Sequence, residues 1–122
     1  MDTRALMVGL GGFVGATARF WVGTWLGQTA FPWATLLVNL VGCFGLACFA
    51  TWVSERAPVS DALRLLVSTG FFGALTTFST FALETLSLLE AGKPWQALAY
   101  SLGSVLLGLI GTALGMALSR AI

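Results

Sequence analysis

Histidine is absent from this chain and charge is scarce: six Lys and Arg with five Asp and Glu make up 9% of 122 residues, against about a quarter in soluble domains. The first absence removes the side chain most used as a general base and metal ligand, and no nucleophile stands beside another base. Enzymatic chemistry is therefore not expected. Basic runs are missing too, and a net charge of +1 gives a nucleic acid nothing to bind. Two cysteines occur, Cys43 and Cys48. Five residues apart on a helix, they point about 140° from each other, so they cannot bridge and read as small apolar fillers. Asparagine occurs once, at Asn39, and tyrosine once, at Tyr100.

What fills the chain instead is apolar, 57% of its residues, which is a membrane composition. Four segments are long enough to cross a bilayer, a distance of roughly 20 helical residues, and the length allows one domain over 1–122. Helices are expected over 4–26, 33–53, 61–90 and 95–120. The competing reading of the first segment is a cleavable signal, whose apolar region would run only about 7 to 15 residues before a cleavage site. Here the apolar character continues past Arg19 to Trp25, which favours a retained helix. The connections at 27–32, 54–61 and 90–94 are short. Ser60 or Asp61 suits the N-cap of the third helix, and Pro94 suits a first helical turn. Trp33, Trp52 and Trp95 fall at segment ends, where indoles favour the membrane interface. With four spans both termini share a side. Arg4, Arg56, Arg64 and Arg120 lie on that side against Lys93 on the other, which favours the termini inside.

Glycines recur four apart at Gly11 and Gly15, Gly23 and Gly27, and Gly111 and Gly115, the spacing that lets helix backbones approach closely in lipid. Packing within the bundle is one use of these faces, and a subunit interface is another. Polar residues inside the apolar segments carry more information, because an unpaired polar group costs several kcal/mol in hydrocarbon. Thr35, Asn39 and Gly42 stand at i, i+4 and i+7, on one helix face. Tyr100, Ser104, Gly108 and Thr112 repeat every four residues on the last segment, with Ser101 beside them. Such a track is either an ion path or a row of hydroxyls back-bonded to carbonyls four residues earlier.

The third segment decides between these readings. Thr76, Thr77, Phe78, Ser79, Thr80 and Phe81 follow one another without interruption, so hydroxyls point all around the helix and cannot all avoid lipid unless protein or water surrounds them. Gly70 and Gly73 precede them and weaken the helix. A helix broken near 73–77 is expected, with freed backbone groups in a protected interior, as at membrane ion sites. No carboxylate lies near the middle of any span, and Glu84 is near the end of the third. The available groups are hydrogen-bond donors: the Asn39 amide and the hydroxyls of Ser79, Thr80, Tyr100 and Ser104. Phenylalanine edges also carry partial positive charge, so Phe78 and Phe81, three residues apart, either line a narrow anion path or simply pack.

At this point "GGFVGATARF" (11–20), "WATLLVNLVGCFGLA" (33–47) and "GFFGALTTFSTFALE" (70–84) resemble the three sequence blocks of the Fluc/CrcB family of bacterial fluoride channels. The resemblance covers nearly the whole chain in order. It implies an all-α membrane protein of four transmembrane helices per subunit, in an antiparallel, dual-topology homodimer with two fluoride pores. By motif, Phe78 and Phe81 look like the ring edges that coordinate fluoride, Asn39 like the pore amide, and Tyr100 and Ser104 like the fourth-helix polar track. Ser79, Thr80 and Thr35 would lie near the path. The backbone carbonyls of Gly73 and Thr76 look like those that hold a structural sodium ion at the dimer centre. Arg19 would stand at a vestibule or the dimer seam, and Glu84 resembles the acidic residue closing the third block. The implied location is the bacterial plasma (inner) membrane, as a multi-pass protein that exports fluoride passively. Departures are Phe72 and Ala74, where many members carry Cys and Gly, and Gly108, where a hydroxyl is expected. A small multidrug transporter shares the length and helix count but needs a glutamate midway along its first helix, which is lacking here. An accessory subunit without transport would leave the polar stripes as packing glue.

Overall fold

The computed structural model describes residues 2–122. Helix α1, Thr3–Leu26, starts where the Asp2 side chain accepts from the Arg4 N–H at 2.9 Å. It stops at Gly27, whose φ of +69° favours glycine. Helix α2 is Trp33–Glu55. Helix α3 opens at Asp61–Arg64, where Ser60 rather than Asp61 is the cap and accepts from the Leu63 N–H at 3.2 Å. It widens into π-helical turns over Leu65–Phe72 and closes with the turn Gly73–Leu75. Thr76 is extended (φ −90°, ψ 157°), and helix α4 takes up again over Ser79–Glu90. Gly73 itself is helical, with φ −62°. Helix α5, Pro94–Ala121, follows a turn at Gly92 with Pro94 at its start. Among the described residues there is no strand.

Taking α3 and α4 as one span, four helices are long and apolar enough to cross a membrane. They pack out of sequence order. Helix α1 lies chiefly on α3 and α2 chiefly on α5, while α1 and α2 barely touch. Glycine makes both close approaches possible. A Cβ on Gly11 would run into the Leu66 carbonyl, one on Gly15 into the Phe71 carbonyl, and one on Gly115 into the Phe44 carbonyl. Gly23, by contrast, meets nothing else in the chain.

The interior is thin. Its apolar part consists of Val38, Ala47, Leu75, Leu88, Ala97 and Tyr100. The accessible surface of 7550 Å² exceeds by about a fifth the roughly 6300 Å² of a soluble monomer of 12.8 kDa. Much of that surface is large and apolar, including Phe13, Trp25 and Leu83. Water is a poor solvent for such a face; hydrocarbon or a second protein surface is a good one. On the side of the termini, Arg120 forms a two-pronged ion pair with Glu55 at 2.9 and 3.1 Å, and Arg64 pairs with Asp61 at 3.0 Å.

Candidate functional site

The site is organised by the interruption at Thr76, Thr77 and Phe78 between two helical stretches, where Thr76 is extended and backbone partners are lost. Side chains from other helices replace some of them. The Asn39 amide accepts from the Thr77 N–H at 2.8 Å and donates to the Thr77 carbonyl at 3.1 Å. Arg19, the one charge within α1 beyond its first turn, donates from Nε to the Ala74 carbonyl at 3.0 Å. The Thr77 hydroxyl accepts from the Thr80 N–H at 3.3 Å and so caps α4. Each buried orphan of this kind would otherwise cost about 1–3 kcal/mol. The carbonyls of Gly73, Leu75 and Thr76 accept no hydrogen bond among the described residues.

The i, i+4, i+7 face of α2 turns toward this segment and the helix that follows it. Thr35 donates to Glu84 Oε1 at 2.6 Å, Asn39 holds Thr77, and Gly42 lies against the methyl of Thr76, where a Cβ would collide. Beside them a cavity of about 320 Å³ is lined by Asn39, Cys43, Thr77, Phe78, Phe81 and Ser104, among others. The two phenylalanine rings have centroids 5.9 Å apart and tilt by 44°. Phe81 also packs on Tyr100 at 5.1 Å, whereas Phe78 is 80% exposed.

Two hydroxyls at the site are buried without a hydrogen-bond partner among the described residues, those of Tyr100 and Ser104. Tyr100 is only 1% exposed, and its hydroxyl faces Thr35 and Glu84. Glu84 in turn lines a second cavity of about 220 Å³ that also touches Thr29, Ser87 and Lys93 near the connecting turns. The remaining residues of interest stand outside the first cavity. Ser79 is exposed on the first turn of α4, and Thr80 is half-buried with its N–H on Thr77. Thr112 and Ser101 bond back to carbonyls of their own helix, at 2.9 and 3.2 Å. Cys43, read from the sequence as a small apolar filler, is a free cysteine one turn after Asn39 that also borders this cavity.

The site combines neutral hydrogen-bonding groups with two phenylalanine rings, and Glu84 and Arg19 do not line its cavity. Donors of this kind can replace water around a small anion, whereas the free carbonyls of Gly73, Leu75 and Thr76 are groups that suit a cation.

The family model described as CrcB-like protein, Camphor Resistance (CrcB), matches residues 6–116. The chain is 43% identical over 122 residues, covering 98% of both chains, to a protein of Rhizobium leguminosarum bv. trifolii named fluoride-specific ion channel FluC. Proteins of the same name from Chloroflexus aurantiacus and Hahella chejuensis are 42% and 46% identical over 118 residues; the matches cover 94% of this chain and 94% and 93% of theirs. With four helices able to span a bilayer and a match over nearly its whole length, this chain is a multi-pass membrane protein that belongs to the CrcB family.

Proposed function

We propose that the protein is a passive, fluoride-selective channel that lets fluoride out of the cytoplasm, and not an enzyme. The observation that carries this reading is the convergence of Asn39, Phe78, Phe81 and Ser104 on one cavity lined by hydrogen-bonding groups and aromatic rings but no carboxylate. Relatives named as fluoride channels at over 40% identity support it. Fluoride is small and holds water tightly, so only closely placed donors replace its shell, and larger halides fit poorly. The ring edges of Phe78 and Phe81, one N–H of Asn39 and the hydroxyls of Ser104 and Tyr100 are moderate ligands. Moderate ligands suit passage, since each site must also release its ion. Thr35, Ser79 and Thr80 flank the route, and Glu84 and Arg19 stand toward its vestibules.

The working unit in this reading is an antiparallel homodimer in the bacterial inner membrane, with two pores and a helix broken at Thr76–Phe78 near mid-membrane in each subunit. The exposure of Phe78 supports it, because within one chain most of that ring stays uncovered although Phe81 lies beside it.

A structural sodium ion at the dimer centre fits the residues present. The Gly73 and Thr76 carbonyls are without hydrogen bonds among the described residues, at the C-terminal end of α3, where the helix dipole is negative. Those carbonyls would hold the ion, which supplies fixed positive charge beside the anion route. Fluoride efflux from proteoliposomes, followed with a fluoride electrode and with chloride as control, tests the function. Robust fluoride efflux with little chloride efflux is expected, and its loss in Phe78→Ile is the expected signature of the ring pair. Equal efflux of both halides would sink the reading.

A further inference from the structure

Helix α5 presents Tyr100, Ser104, Gly108 and Thr112 on one face, one per turn. The first two end in buried hydroxyls with no partner among the described residues. Beyond Ser104 the row of donors stops. Gly108 has no side chain, and the Thr112 hydroxyl is spent on the Gly108 carbonyl. The opposite helix fills the gap. A Cβ built on Gly108 would meet only the Cys43 sulfur, at 3.3 Å, so the thiol occupies the space that a serine at 108 would use. Cys43 also lines the same cavity as Asn39, Phe78, Phe81 and Ser104.

We propose that the Cys43 thiol supplies, from α2, the hydrogen-bond donor that Gly108 omits from α5, so that the anion's route passes from Ser104 to Cys43. The inference deepens the channel reading and rests on it. Its independent support is Ser104: a buried hydroxyl left unpaired is costly unless something visits it, and Ser104 lines the cavity that Cys43 borders. A thiol is a weak donor, which suits a step that must let the ion go.

The test is fluoride efflux from proteoliposomes containing the full chain and its variants. Cys43→Ala is expected to slow fluoride efflux by about threefold to tenfold, the value of one modest hydrogen bond. Cys43→Ser, which keeps a donor of similar size, is expected to match or exceed the parent. In the Cys43→Ala background, Gly108→Ser is expected to restore efflux and Gly108→Ala is not, which separates a donor from mere volume. Parental efflux in Cys43→Ala, or equal rescue by serine and alanine at 108, would overturn the assignment while leaving the channel reading intact. A parent that passes no fluoride would overturn both.

Discussion

Asn39 holds the peptide of Thr77 by both of its polar groups, accepting from its N–H and donating to its carbonyl, so two amides face each other as neighbouring strands would. One side chain thereby stands in for two backbone partners lost where α3 gives way to α4. Only one N–H of the amide remains for an ion, and the residue is a positioning group as much as a ligand.

Asn39→Asp keeps the acceptor for the Thr77 N–H but sets a carboxylate oxygen against the Thr77 carbonyl. Efflux should disappear and stability should fall by about 1–3 kcal/mol, the cost of an unpaired buried group. Thermal unfolding in detergent beside efflux reads both. An unchanged melting temperature would show that the clamp does not hold the segment.

The two rings should separate under mutation. Phe78 is mostly exposed within one chain, whereas Phe81 packs on Tyr100. Both Phe78→Ile and Phe81→Ile are expected to abolish fluoride efflux while the protein stays folded. Phe81→Ile alone should also lower stability, by about 1 kcal/mol for the lost aromatic contact. Detergent melting curves of the two variants, compared with each other, check the difference.

Glycine substitutions should rank by what a Cβ would strike. Gly11→Ala and Gly15→Ala drive a methyl into the backbone carbonyls of Leu66 and Phe71 and should cost about 2 kcal/mol or more. Gly23→Ala meets open space and should be neutral or stabilising by up to about 1 kcal/mol, through helix propensity. Yields of folded protein and melting temperatures give the order.

Thr35→Val removes the hydroxyl that donates to Glu84 at 2.6 Å. The carboxylate then loses its one hydrogen-bonded anchor on α2. Efflux is expected to fall severalfold in Thr35→Val and to be retained in Thr35→Ser. Equal efflux from the two variants would remove the Thr35 hydroxyl from the working site.

The spans were legible because charge and turn residues gather between apolar runs, and in lipid that pattern dictates helices. The face formed by Thr35, Asn39 and Gly42 was legible from spacing alone, but its partner was not, since nothing in α2 says that Asn39 meets the Thr77 peptide. Gly23 and Gly27 form no seam within the bundle, since Gly27 ends the helix with a positive φ and a Cβ on Gly23 would meet nothing within 4 Å. Along α5 the sequence left two uses for the hydroxyls, and the structure divides them: Ser101 and Thr112 bond back to their own helix, while Tyr100 and Ser104 do not. Rotamers and neighbours decide that, and neither is visible in a period of four.

The out-of-order packing constrains how the protein is made. Because α1 waits for α3 and α2 waits for α5, the first hairpin to leave the ribosome has almost nothing to hold it together. Neither half of the polypeptide is a self-sufficient piece, and each carries the mate of what the other lacks. A chain cut between Arg56 and Ser60 should therefore yield two fragments that are unstable apart and re-form the bundle when co-expressed.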